Sequence, residues 1–289
     1  MKRLALGTVQ FGLRYGVTNH QGQVSIETAT AILDCALANG IDMLDTAIAY
    51  GDSEQNLGKI GVESFRVVSK LPEFPAELNH VSDWVMQSVE GSLQRLKTPR
   101  LYGLLLHRPQ HLLSPEGENL YKALNLLKEK GLVDKIGISI YHHNELEALF
   151  SRFAFDLVQA PFNVLDRSLE RSGWLSRLKE AGVEVHVRSI FLQGLLLMNS
   201  SALPQHFERW RPLWEQWKEW LIESNLTPLQ ACIGFVLSKT DIDRVVFGVD
   251  GLSQLEEILV ATAGEWSHPP DDLCCDDPDL INPSRWKLK

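Results

Sequence analysis

The sequence predicts an α/β chain of the closed (β/α)8 TIM-barrel class, with an extra helix inserted after the seventh strand. Three observations predict it. Short apolar runs alternate with segments of helical periodicity, eight of each, along the 289 residues. The first strand is not followed by Gly-x-Gly-x-x-Gly, and Gly-x-x-x-x-Gly-Lys-Ser/Thr does not occur, so the usual nucleotide loops of an open doubly wound sheet are missing. Polar side chains, among them Asp45, Tyr50, Lys70 and His107, stand at or just past the ends of the apolar runs, where a barrel opens its mouth.

The elements follow in order. A strand at 3–6 precedes a helix at 25–39, whose apolar residues Ile26, Ala29, Ile32, Leu33 and Ala36 recur on one face and which Gly40 ends. A strand at 41–44 leads to a helix at 52–61, where Asp52 and Gln55 have the spacing of a capping box. A strand at 65–69 is followed by a helix at 81–96 with Val81, Val85, Val89, Leu93 and Leu96 on its stripe. The strand at 101–106 ends against His107, and its crossover helix spans 120–129 before Gly131. Next come strand 134–138 with helix 144–151, strand 155–159 with helix 168–181, and strand 183–187. The inserted helix, 204–224, puts Phe207, Trp210, Trp214, Trp217 and Leu221 on one stripe, the spacing of core packing rather than of a ligand site. Helix 228–238, strand 244–247 and helix 253–261 complete the series. No low-complexity linker divides the chain, so residues 1–289 are expected to form a single domain.

Composition narrows the function. An apolar fraction of 44% supports an ample core, and a formal charge of −9 argues against a nucleic-acid partner. No apolar stretch is long enough to span a bilayer, and the basic start lacks a sustained apolar region, so the expected setting is the cytoplasm without membrane attachment. Cys35, Cys232, Cys274 and Cys275 lack metal-type spacing, and an adjacent pair rarely makes a relaxed disulfide. His142 and His143 have no further partners at set distances, so no metal is expected.

With these residues in view, the chain resembles the aldo-keto reductase family over nearly its whole length. The motifs Leu6-Gly7-Thr8 with Phe11-Gly12, Asp45-Thr46-Ala47 with Tyr50-Gly51, and Ser53-Glu54 with Leu57-Gly58 come first. Ser69-Lys70, His107-Arg108-Pro109, Gly137-Ile138-Ser139, Gln159 with Asn163, and Gln193-Gly194-Leu195 follow in family order. Short loops after strand four and a short tail after Ala261 are more similar to bacterial members. The resemblance implies a nicotinamide cofactor, NADPH or NADH, lying across the barrel mouth, and a small carbonyl substrate. It also implies a residue-by-residue set of roles. Tyr50 would give a proton to the carbonyl oxygen, Lys70 would lower the phenol's pKa, Asp45 would pair with Lys70, and His107 would hydrogen-bond the carbonyl. Taken singly, each is an ordinary loop aromatic, ion pair or strand-end histidine; four at matching positions are a constellation.

Cofactor contacts carry over in the same way. Ser139 and Gln159 would meet the carboxamide, while Gly7 and Thr8 would contribute near the reacting ring, beside Asp45. Backbone from Ser189 to Gly194 would wrap the pyrophosphate. Gly248, Asp250, Gln254 and Glu257 would meet the adenosine. Departures from the family pattern bear on cofactor choice. Ser139 is followed by Ile140 rather than Asn, and Ile258 replaces the usual Asn beside the adenine. The loop after strand eight, Gly248-Val249-Asp250-Gly251, lacks the basic residue that commonly holds the 2′-phosphate. An acidic Asp250 there would repel that phosphate and accept from a ribose hydroxyl, which favours NADH. Arg188 stands where an aromatic often stacks on the nicotinamide; its plane suits that ring, and its charge suits a phosphate or an acidic substrate. The expected activity is reduction of an aldehyde or ketone, sugar-like in character, by a monomer or weak homo-oligomer. The competing reading is a catalytically quiet cofactor-binding barrel that acts as a redox-sensing or regulatory subunit. An isomerase or lyase on another barrel would need a phosphate loop after strands seven and eight that the sequence does not show.

Overall fold

In a computed structural model, the described residues are 2–19, 21–75, 80–199, 202–264 and 266–286. Eight parallel strands close into a barrel in sequence order. They are β1 (Leu4–Gly7), β2 (Met43–Asp45), β3 (Arg66–Leu71), β4 (Leu101–Leu106), β5 (Val133–Ser139), β6 (Leu157–Pro161), β7 (Glu184–Arg188) and β8 (Arg244–Gly248). Closure comes from the β1–β8 ladder, in which Leu4 lies opposite Val245 and Gly7 opposite Gly248. Around the sheet lie α1 (Ile26–Ala38), α2 (Ser53–Ile60), α3 (Val81–Leu96), α4 (Gly117–Glu129), α5 (Asn144–Phe150), α6 (Ser168–Arg171), α7 (Trp174–Glu180), α8 (Arg211–Glu223), α9 (Pro228–Leu237), α10 (Leu252–Ala261) and α11 (Pro278–Ile281).

Alternation along the strands sorts the side chains. Leu6, Leu44, Leu104, Ile138, Val158 and Val187 belong to the large core shared with the helices. Ala5, Met43, Val68, Leu105, Leu157 and Val246 form a separate apolar cluster. It is built from six different strands, as a filled barrel interior requires. Toward the strand N-termini the packing is ionic. Glu184 accepts from Tyr102 Oη at 2.7 Å, pairs with Lys135, and contacts His186 Nε2 at 2.7 Å. Arg244 pairs with Asp42 at 2.8 Å. Toward the strand C-termini the polar residues face a cavity, described below.

Three sequence expectations are corrected. The helix read over 168–181 is two helices, because Gly173 takes φ +77° between α6 and α7 and breaks the hydrogen-bond ladder. The inserted helix read over 204–224 opens as a 3-10 segment, Gln205–Trp210, before α8 begins with Pro212 in its first turn. Of its stripe, Phe207, Trp214 and Trp217 are buried and Trp210 and Leu221 pack half-buried against the core, while Trp220, off the stripe, is buried as well. Asp52 precedes α2 but makes no side-chain cap, because its ψ of 7° is outside the extended region that turns an N-cap side chain toward the helix.

The segment that carries Tyr50 is anchored from below by Glu54. This carboxylate is buried and accepts from Ser69 Oγ at 2.7 Å, Ser92 Oγ at 2.6 Å and Arg95 Nε at 2.8 Å, joining α2 to β3 and α3. Close approach of α2 to α3 requires Gly58, since a Cβ there would stand 1.9 Å from the Arg95 carbonyl oxygen. Gly58→Ala is therefore expected to destabilise the fold by about 1–3 kcal/mol through overpacking, read as a lower urea midpoint. An unchanged midpoint would show that the two helices separate without cost.

Candidate active site

A cavity of about 640 Å³ opens at the C-terminal end of the barrel. Its size falls in the range of small-molecule sites. Each strand reaches it by the same device: polar residues at the last positions of the strand, or in the turn that follows, face inward over the apolar plug. Gly7 and Thr8 come from β1, Asp45 and Tyr50 from β2 and its turn, Lys70 from β3, and His107 from the end of β4. Ser139 ends β5, Gln159 lies in β6, Arg188 and Ser189 close β7, and Gly248 with Asp250 closes β8. Gly194, Gln254 and Glu257 complete the set. Every candidate residue read from the sequence lines this one cavity.

At its floor lies a buried ion pair. Lys70 Nζ donates to Asp45 Oδ1 at 2.5 Å and to the Thr46 carbonyl at 2.9 Å. Gln159 Nε2 donates to the other carboxylate oxygen, Oδ2, at 2.6 Å. Ser139 Oγ reaches Gln159 Oε1 at 3.4 Å, so the two residues expected at the carboxamide also contact each other. Lys70 and Asp45 are both buried, and burial pushes the Lys70 ammonium below its ordinary pKa while Asp45 opposes that shift. The Lys70 ammonium lies 5.1 Å from the centroid of the Tyr50 ring, and the Tyr50 and His107 rings meet edge to face with centroids 6.1 Å apart. Lys70 and His107 thus flank the Tyr50 ring.

The electrostatics correct one expectation. Lys70 was expected to lower the Tyr50 pKa, yet Tyr50 is raised well above 10, first by burial and then by the nearby Asp45 carboxylate. Lys70 itself is paired with Asp45. His107 is pushed down to about 4, chiefly by burial, with help from the Lys70 and Arg188 charges. At neutral pH the phenol is therefore protonated and the imidazole neutral.

The remaining wall suits an extended polar ligand. Gln10 is buried and lines the cavity, and among the described residues its Oε1 meets no hydrogen-bond donor, so a ligand N–H or O–H would satisfy it. Ser189, Leu192, Gln193 and Gly194 have φ of +60°, +48°, +54° and +90°, a run of left-handed backbone bordering the cavity. Such conformations cost about 1–3 kcal/mol each and concentrate at ligand clamps. Asp250 Oδ1 accepts from Asn19 Nδ2 at 2.9 Å, and its backbone N–H donates to Gln254 Oε1 at 2.7 Å. These features fit a dinucleotide: Gln10, the 189–194 loop and Asp250 are residues that would hold it.

Some lining residues went unread in the sequence. Tyr141 lies two positions past β5 and Gln10 two past Thr8, offsets that strand-end counting finds once the strands are known. Pro283 and Ser284 reach the cavity from the tail, and no local pattern marks them. The tail is held by Asp279, which meets Arg209 at 3.1 Å and Arg285 at 2.7 Å, and by Trp286 against Phe207.

Comparison with known proteins agrees with this geometry. The chain is 27% identical over 186 residues to the Aldo-keto reductase YhdN of Bacillus subtilis, covering 59% of this chain and 53% of that protein. It is 31% identical over 119 residues to D-arabinose 1-dehydrogenase of Saccharomyces cerevisiae, covering 38% and 36%. The aligned stretches thus span about half of the first relative's length and about a third of the second's. In fold it is similar to the holo form of aldo-keto reductase AKR11C1 from Bacillus halodurans, with a TM-score of 0.72, 22% identity, and coverage of 92% of this chain and 88% of that one. The profile of the Aldo/keto reductase family matches residues 3–267, which includes all of the cavity-lining strand ends, and the chain belongs to that family.

Proposed function

We propose that the chain, one barrel domain over residues 1–289, reduces an aldehyde or ketone to an alcohol, with Tyr50 as general acid. The observation that carries this reading is the placement of Tyr50 between Lys70 and His107 over the cavity. When bound, a reduced nicotinamide supplies the hydride. The residues manage the proton and the charge. Tyr50 holds a proton at neutral pH and is placed to pass it to the oxygen that becomes the alcohol. Lys70 has three N–H donors, of which two are spent on Asp45 and Thr46. The third is available as phenolate character develops on Tyr50. His107, neutral, can donate one N–H to the carbonyl oxygen and orient the reacting carbon. Asp45 and Gln159 keep the ammonium in place.

For the cofactor, Ser139 and Gln159 would meet the carboxamide, Gly7 and Thr8 the neighbouring ring, and the 189–194 loop the pyrophosphate. Gly248, Asp250, Gln254 and Glu257 would meet the adenosine end. Asp250 supports NADH over NADPH, because a carboxylate repels a 2′-phosphate and accepts from a ribose hydroxyl. The expected setting is cytoplasmic; among the described residues no helix is long and apolar enough to cross a membrane.

Four measurements test this. Across a panel of aldehydes, sugars and keto sugars, loss of 340 nm absorbance with NADH or NADPH is expected for at least one pair. Tyr50→Phe should lower kcat/KM about 100-fold or more while cofactor binding is kept; an unaltered rate removes Tyr50 as the acid, and binding without any turnover in the wild type points to the regulatory reading. Because Tyr50 titrates above its ordinary range and His107 at about 4, kcat/KM for reduction should stay level between about pH 6 and 9. A midpoint near neutrality would contradict both assignments. Asp250→Arg should move the NADPH-to-NADH preference toward NADPH, and an unchanged ratio places the 2′-position elsewhere.

A further inference from the structure

Among the described residues, the cavity wall carries a cation, Arg188, that makes no ion pair; the buried Asp166 carboxylate acts on it only through space. Lys70 is matched by Asp45. Arg188, the last residue of β7, is held instead by neutral groups: Nη2 donates to the Ile140 carbonyl at 2.9 Å, Nη1 reaches Ser189 Oγ at 3.3 Å, and the guanidinium lies 4.8 Å from the centroid of the Tyr141 ring. A guanidinium has five N–H donors, and two are used. Among the described residues no carboxylate pairs with it. Arg108 lies 5.2 Å from the centroid of the same Tyr141 ring, so the rim between β4, β5 and β7 carries two positive charges about one phenol.

Position decides what this charge is for. The Arg188 charge acts on the Tyr50 phenol, the His107 imidazole and the Lys70 ammonium, lowering the pKa of each. It therefore stands in the part of the cavity that holds Tyr50, His107 and Lys70. Its guanidinium already rests on Tyr141, and a fixed cation beside a nicotinamide would oppose the positive ring left after hydride loss. A half-buried, immobilised guanidinium with three free donors is instead a built receptor for an oxyanion, which it binds through paired charge-assisted hydrogen bonds.

We infer that Arg188 anchors an oxyanion subsite beside Tyr50 and His107, and that the substrate is a carbonyl compound bearing a carboxylate or a phosphate a few bonds from the reacting carbon. This rests on the reading of Tyr50 as the acid. Bound there, the anion offsets the Arg188 charge that favours ionisation of Tyr50, so the proton donor stays protonated. Tyr15 and Tyr141 line the same part of the cavity and are placed to flank the carbon skeleton.

The test compares matched substrates with the cofactor-saturated protein. One arm pairs succinic semialdehyde with its methyl ester, the other glyceraldehyde 3-phosphate with glyceraldehyde. The wild type is expected to favour the charged member of at least one pair by tenfold or more in kcat/KM, and the arm that responds names the anion. In Arg188→Gln that ratio should collapse at least tenfold, with partial recovery in Arg188→Lys. A ratio near one in the wild type, or a ratio unmoved by Arg188→Gln, overturns the subsite. So does an equal loss on both members accompanied by weakened NADH binding, which would make Arg188 a cofactor contact. If no substrate turns over, the reading of Tyr50 fails separately, and titration with succinate and with inorganic phosphate still decides: binding lost in Arg188→Gln supports the subsite, and its absence from the wild type overturns it.

Discussion

Burying an ammonium and a carboxylate side by side is costly unless their geometry and remaining hydrogen bonds offset the lost hydration. Lys70 and Asp45 meet that condition. The carboxylate takes Lys70 on one oxygen and Gln159 on the other, and Lys70 also donates to the Thr46 carbonyl. The pair therefore ties β2 and β3, which are adjacent, to β6 across the mouth. Removing either partner would leave an uncompensated charge on the cavity floor. Burial keeps Tyr50 a protonated phenol, and Arg188 stands out as a cavity cation outside any ion pair among the described residues.

The barrel separates stability from chemistry along its axis. Near the strand N-termini, Glu184 binds Tyr102, Lys135 and His186 in a network that joins three strands. Above it, the Ala5, Met43, Val68, Leu105, Leu157 and Val246 layer excludes water. Above that plug the strands turn polar again. A polar group there is desolvated from below and open from above, so its interactions are stronger than in water while a ligand still has access.

Burial acts oppositely on the two groups that face the reacting position. It disfavours the charged form in both cases, which raises the phenol and lowers the imidazole. The result is two neutral hydrogen-bond donors at physiological pH, a state that suits the roles proposed for Tyr50 and His107. Environments that push two titratable groups apart are a general route to divided roles in an active site.

How much of this the sequence already held can be judged residue by residue. Strand and helix alternation determined the barrel, because apolar periodicity is a local property of the chain, and every strand-end residue chosen from that pattern lines the cavity. The exceptions are tertiary. Gly173 could not be read as a helix break, since glycine is tolerated inside helices, and Asp52 carries the composition of a cap without its backbone angle. Gln10, Tyr141, Pro283 and Ser284 entered the site only through packing. The sequence named the phenol, the ion pair and the imidazole by type and position. Tertiary structure alone decided their charge states and left the Arg188 cation outside any ion pair among the described residues, because desolvation and through-space pairing depend on neighbours that are distant along the chain.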